Sequence, residues 1–368
     1  MKKEENKKSS ETLEKVDTSI VNEEVEDRRK DKKKRLLLLL LLLLITGIVL
    51  GSSTYAWFTA NKTVAVNDIQ VNVAAENGIQ ISVDGTSWKS IVQTTDINNA
   101  INTYAAAVNQ VPSETSSLAP VSTTGNIDEN GRMEMFLGEV KSDATTGDYI
   151  LTSTKSEETN GTSGNFIAFD LFFKVDEDTT TYFTPNTRVV TTDVTDTGIK
   201  NATRMAFVVL GNTASGTALS EIQALNAGTS AEKKIYEPNY DVHTAAGVSA
   251  AYDYYGITTT EADGSLLPYS GVKTAFDETA KVSLKVSNAE THATKYTDKF
   301  DAVTVDYSTK AGFTENFEGL TLTAGITKVR VYMWVEGQDV DCENSASGGN
   351  ITYGLQITTE NTTQVTGD

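Results

Sequence analysis

Cysteine occurs once in 368 residues, at Cys342. No disulfide can close within the chain and no cysteine-based zinc site can form, so burial and strand pairing alone must hold an outer domain together. Histidine occurs twice, at His243 and His292, each in a polar stretch. A zinc peptidase needs two histidines one helical turn apart with a glutamate between them as general base. The chain has no His-Glu-x-x-His, and both histidines read as surface residues. It also has no Gly-x-Ser-x-Gly, and Gly211-Asn-Thr-Ala-Ser-Gly216 is followed by no Gly-Lys-Ser/Thr, so that segment is a loop and not a phosphate cradle. Carboxylate pairs are too common in so acidic a chain to mark a glycosidase. No catalytic constellation emerges, and the chain is expected not to be an enzyme. Proline is also scarce, with five residues, and no internal repeat is evident.

Positive charge is concentrated at one end. Residues 1–35 hold 12 of the 31 basic and 10 of the 50 acidic side chains, leaving 19 against 40 in the remainder. With almost no apolar residues, this leader is expected to be a disordered cytoplasmic tail. The acidic remainder should stay soluble and repel nucleic acid and anionic lipid, so no nucleic-acid partner is expected.

Between the two lies the most informative stretch. Seven basic residues within Arg28–Arg35 abut nine leucines, Leu36–Leu44, followed by Ile45-Thr-Gly-Ile-Val-Leu50. A cationic cluster beside an apolar run is an export signal: Lys and Arg stay inside and the rest is sent outward. Leu36–Leu50 reaches roughly 22 Å as a helix, which suits a signal peptide; extension through Phe58 reaches roughly 34 Å, which would span a membrane. Thr54 and Ala56 supply small residues for cleavage between Ala56 and Trp57. A cleaved signal and a retained anchor with its N-terminus inside both fit. The expected organisation is a leader at 1–35, a signal or membrane segment at 36–56, and an exported domain at 57–368 with an insertion around 211–275. The polar ending, Asn361-Thr-Thr-Gln-Val-Thr-Gly-Asp368, leaves the N-terminus as the expected point of attachment.

The exported part alternates at period two and is rich in β-branched residues, which predicts an all-β antiparallel sandwich with loop and short-helix insertions. Expected strands are Thr63–Ala74, Gly78–Asp84, Met133–Val140, Asn165–Val175, Arg188–Thr192, Thr203–Leu210, Lys281–Val286, Ala302–Tyr307, Leu320–Thr323, Thr327–Glu336 and Ile351–Thr359. In Thr327–Glu336, Val329, Val331, Met333 and Val335 oppose Arg330, Tyr332, Trp334 and Glu336. In Asn165–Val175, Phe169, Leu171, Phe173 and Val175 oppose Asp170, Phe172 and Lys174. Both read as strands with one buried face. Pro112–Asn126, Lys141–Gly164 and Ala214–Gly271 read as loops. Ala218–Asn226 and Ile97–Val108 read as short helices, and Asn130-Gly131 as a hairpin turn. The first strand changes phase: Val64 and Val66 are even, Ile69, Val71 and Val73 odd. Such a flip means a bulge on an edge strand, or a segment that leaves its own domain and completes another subunit's sheet.

The junction Gly51-Ser-Ser-Thr-Tyr-Ala-Trp-Phe-Thr-Ala-Asn61, with Thr54-Tyr55-Ala56-Trp57-Phe58 at its centre and an alternating strand after it, resembles the N-terminus of the TasA/camelysin family of bacterial surface and biofilm-matrix proteins. The likeness covers about 25 residues. It implies a jelly-roll sandwich, export through a SipW-type signal peptidase, cleavage near Ala56, and fibres in which the freed N-terminal strand enters the neighbouring subunit. Carried over by position, the donor is Trp57–Val73, with Val64, Val66, Ile69, Val71 and Val73 as inserting side chains. The leader and the leucine run are both longer than in the best-known members, which favours a tethered form.

Three weaker signals remain. Asp339, Asp341 and Glu343 alternate in Gln338–Asn344 and could offer oxygens to calcium, though without EF-hand spacing; a solvated hairpin loop is the plainer reading, and no other cofactor is expected. Tyr252, Tyr254 and Tyr255 could stack on sugars or pack an insertion. Trp88 and Trp334 read as structural. The expected function is a fibre or matrix subunit assembling by strand donation, with self-association and the signal peptidase as partners. The alternative is a membrane-tethered adhesin or glycan-binding module held through residues 36–58.

Overall fold

The computed structural model describes residues 32–35, 57, 63–73, 78–105, 107, 109–112, 118–143, 145–159, 161–191, 193, 197–239, 243–249, 270–286, 290–307, 316–342 and 348–360. The chain divides into two compact units, 1–53 and 54–368. In the first, only 32–35 is described, as a helical turn. The apolar run, the junction through Ala56, Glu343 and the tyrosine cluster lie outside the described residues. Among the described residues, no helix is long and apolar enough to cross a membrane.

The second unit is all-β. Its strands are β1 Ala65–Val73, β2 Gln80–Ser82, β3 Ile91–Gln93, β4 Val121–Ser122, β5 Met135–Ser142, β6 Tyr149–Ser156, β7 Ile167–Val175, β8 Thr179–Phe183 and β9 Arg188–Thr191. They continue with β10 Thr203–Thr213, β11 Glu232–Glu237, β12 Ser270–Val272, β13 Val282–Ser283, β14 Phe300–Ala302, β15 Asp306–Tyr307, β16 Phe317–Leu322, β17 Gly325–Val335 and β18 Asn350–Thr358. Short helices accompany them, among them α1 Thr94–Asn99, α2 Leu219–Gln223 and α3 His292–Lys295.

The central sheet has the order β15-β11-β10-β17-β7-β2. β17 pairs antiparallel with both β10 and β7, setting Val329 and Val331 beside Leu171 and Phe169. A second sheet, β16-β8-β18-β1-β3 with β9 also on β18, lies across one apolar core. Phe169, Leu171, Phe173, Val329, Val331 and Met333 enter that core from the central sheet; Ile69, Val71, Ile351, Tyr353 and Leu355 enter from the second. This is the expected all-β sandwich, but not a purely antiparallel one: β1 with β18 and β11 with β15 run parallel.

The one-face burial predicted for β7 and β17 does not hold. Every residue of β17 is buried, and all of β7 except Lys174. A third layer covers the outer face: the sheet β13-β6-β5-β4 and the ribbon β12-β14. Met133, Met135 and Val121 from this layer pack on Ala206, Val208, Tyr332 and Trp334. Tyr104, Ile222 and Glu158 cover the rest of that face, and its polar residues are buried as a network. Arg330 lies directly across from Asp170 and bonds it through Nε and Nη2, both at 2.8 Å. Lys328 Nζ stands 3.3 Å from Asp170, the Tyr104 hydroxyl donates to Asp170, and Arg330 and Tyr332 hold Glu158.

Other expectations shift locally. β6 and β11 lie inside stretches read as loops, Lys141–Gly164 and Ala214–Gly271, and β4 lies inside Pro112–Asn126. Thus part of the 211–275 stretch belongs to the central sheet. The helix expected at Ile97–Val108 begins earlier and stops sooner. A capping box of Gln93 and Asp96 starts α1 at Thr94, and turns follow Ala100, with Asn102 left-handed (φ 61°), a conformation asparagine tolerates. Leu219–Gln223 forms inside the expected Ala218–Asn226, and Asn130-Gly131 turns as predicted, with Gly131 at φ 71° and Ile127 bridged to Met133.

Candidate functional site

The leading strand of the outer domain is the first place to look. β1 runs parallel to β18, from Ala65 beside Asn350 to Val73 beside Ile357. Parallel neighbours cannot be joined by a tight turn, so this pairing unites the two ends of the domain. The register skips between Val66 and Asp68, placing a bulge at Asn67. That is the predicted phase flip: Val64 and Val66 face the core before it; Ile69, Val71 and Val73 face it after it. Val64, Ile69, Val71 and Val73 are buried and Val66 is half-buried against the same core.

β1 is not an edge strand, contrary to the simpler of the two sequence readings. Gln70–Asn72 pair antiparallel with β3. Upstream, the side chain of Thr94 caps the backbone, accepting from Ile69 N (2.8 Å) and donating to Ile69 O (3.2 Å). Val64 exchanges two 2.8 Å backbone bonds with Leu118. The five donor side chains thus sit in one groove, bounded by β18, β3 and the segment around Leu118.

Trp57, the residue after the predicted cleavage point, is 1 % exposed. Its ring packs in the third layer, in the same cluster as Phe136, Leu151, Phe276 and Phe300. Its backbone is left-handed (φ 78°), a cost of about 1–2 kcal/mol for a bulky residue that the packing must offset. Ala56 lies outside the described residues.

The acidic segment after β17 is the second place. It is not a solvated loop: Asp339, Val340, Asp341 and Cys342 are all buried. Asp339 accepts from Arg204 Nη2 (2.6 Å), whose same nitrogen is 3.0 Å from Glu237. Asp341 accepts from Thr244 N (3.0 Å) and Thr244 Oγ1 (2.7 Å) and lies 2.7 Å from His243 Nδ1. Burial pushes the Glu237 carboxyl up to about 8, against the pull of Arg204. Burial alone would lower the His243 imidazole; the hydrogen bond to Asp341 and the neighbouring carboxylates outweigh it and hold it above its ordinary value.

Asp339 and Asp341, two of the three calcium candidates, do come together, and they gain His243. Ligand atoms of these three lie within 4.8 Å of one another. Each carboxylate already has a charged or hydrogen-bonding partner, however, and calcium wants six to eight oxygens. An ion there would have to displace Arg204 from Asp339. The arrangement works as a buried latch that ties residues 243–248 to the turn 337–342. Neither histidine is at the surface, as the sequence reading had placed them. His292 is buried against Tyr296 and Phe300, with Nε2 3.0 Å from the Ser283 carbonyl. Arg204 and Glu237 carry no motif that would have flagged them.

Trp88 is half-buried beside Phe172 and Ile222, and Trp334 is buried with Nε1 bonded to Glu336 at 3.0 Å. No protein-family model, no curated protein and no solved structure matches the chain.

Proposed function

We propose that the chain is an exported structural protein of the cell surface, a fibre or matrix subunit that assembles when β1 leaves its own groove and completes the sheet of a neighbouring copy. Under this reading the two facing sheets form a jelly roll. A signal peptidase frees the segment at Trp57, and the product is extracellular. The observation that supports the reading most is the pairing of β1 with β18. β1 is the leading strand of the unit and enters its sheet by one chain connection only, through residues 74–79, once the leader is removed. Its partner strand lies nearly the whole length of the domain away. A pairing so distant forms late, because the intervening chain must be ordered first. Until then the groove offers unpaired backbone groups and apolar pockets to any matching strand, and the matching strand at hand is β1 of another copy. Main-chain bonds would supply affinity, and the pockets for Ile69, Val71 and Val73 would fix which face of the strand turns inward.

The test is deletion of Trp57–Val73 from the full chain, with export retained. Electron microscopy of the cell surface should then show no fibres, where the native chain gives them. Fibres of normal abundance from the deleted chain would refute donation.

A further inference from the structure

Gly138 on β5 and Gly337 just after β17 wall one feature. A methyl group added at either would stand closer than 3.0 Å to the same three atoms of the Trp57 ring, Cε3, Cζ3 and Cη2. Neither glycine adopts a left-handed φ, so the backbone does not require glycine at either place. The ring does. The two positions come from different sheets, held together where Gly337 N donates to the Val121 carbonyl at 3.0 Å and Glu336 bridges Val121. Between them is a slot that fits the benzo edge of an indole. Its hold is apolar: the indole Nε1 is buried and has no hydrogen-bond partner among the described residues.

We propose that this slot is the register-setting seat of the donated segment, and that in the assembled form the indole filling it belongs to the same neighbouring copy that supplies β1. The inference rests on the strand-donation reading and adds what that reading lacks. The inserting residues of β1 are Val64, Val66, Ile69, Val71 and Val73, nearly interchangeable in shape. A slip by two residues keeps them all facing the core, so β1 alone specifies its register weakly. A single large ring in a slot walled by two glycines admits one position. Trp57 lies eight residues before Ala65, a reach of at most ~29 Å, so ring and strand travel as one segment. When that segment leaves, the slot and the β1 groove empty together, and one incoming segment refills both.

The test places a photoreactive benzophenone side chain at position 57 of the full chain, Trp57→p-benzoylphenylalanine, and irradiates the fibres. Expected is an adduct of twice the chain mass, with the crosslink on peptides containing Gly138 or Gly337. An adduct confined to single-chain mass overturns the proposal, as does one on other peptides. Because the large benzophenone can spoil assembly, Gly138→Leu and Gly337→Leu serve as a second arm. They fill the slot and leave the donor segment and cleavage junction untouched. A drop of at least tenfold in sedimentable fibre is expected, with far-UV circular dichroism unchanged. A copy carrying Gly138→Leu should still pair with a copy carrying Trp57→Ala, since one keeps the ring and the other the slot. Where a leucine variant fails to fold, that pairing with Gly138→Ala in its place decides: no mixed dimer overturns the proposal. Normal fibres from both leucine variants overturn the slot alone; normal fibres after deletion of Trp57–Val73 overturn strand donation itself.

Discussion

At the scale of single residues, the charged and polar side chains inside this protein do what their isolated types disguise. His292 sits in a polar stretch of sequence, yet burial drives its imidazole down to about 4. The folded state therefore favours the neutral ring. That contribution is whole above the unfolded value near 6.5 and is lost as the pH falls through about 4, a total of roughly 3 kcal/mol. Urea midpoints should drop between pH 7 and pH 4.5, and His292→Phe should flatten that part of the profile; an unchanged slope would show that His292 is not its source. Arg330 and Asp170 make the same point without titration. They alternate with apolar neighbours as solvent-facing residues do, and only the approach of Tyr104, Asn109 and Glu158 turns them into a buried pair. Removing one partner would strand the other's charge in the interior, which is why such networks are costly to break.

Among the elements, β1 is the one whose sequence and structure agree in detail. Asn67 is the extra residue of the bulge, and both Asn67 and Asp68 are exposed. Deleting Asn67 would bring Val64, Val66, Ile69, Val71 and Val73 into one uninterrupted alternation, all toward the core. Inserting a glycine after Gln70 would do the opposite and turn Val71 and Val73 to the other face. Thermal melts should show the deletion folding with only a small loss. The insertion should lose about 1.5–3 kcal/mol for each valine exposed. If both changes were equally harmful, the strand would be fixed by something besides its alternation. β7 and β17 teach the converse: their alternation is clean, but it marks two buried faces of different chemistry and not one wet and one dry face.

At the scale of the molecule, the second unit closes on itself between strands far apart in the chain. The first strand lies against the last, and the ring of Trp57 closes a core in a different layer. A chain lacking residues 57–73 should therefore keep most of its sheets but lose cooperativity in the second sheet, which holds β1. Adding a synthetic peptide of sequence Trp57–Val73 should restore a single sharp melting transition at a higher temperature. No shift at a hundredfold peptide excess would mean that the groove does not accept a strand supplied from outside.

Several features were determined by the sequence alone because they depend on neighbours along the chain. These are the all-β character, the positions of most long strands, the bulge in the first one and the Asn130-Gly131 turn. Local backbone preference and period-two alternation are enough to write them. Short strands such as β3, β4 and β8 were not legible, since two to five residues carry too little periodicity and form only because a long neighbour offers its edge. The third layer, the burial of both histidines, the Arg204–Asp339 pair and the slot between Gly138 and Gly337 were decided by the tertiary structure. Each depends on segments far apart in the chain meeting across a sheet face, and burial and desolvation are properties of that meeting, which no single stretch of residues carries.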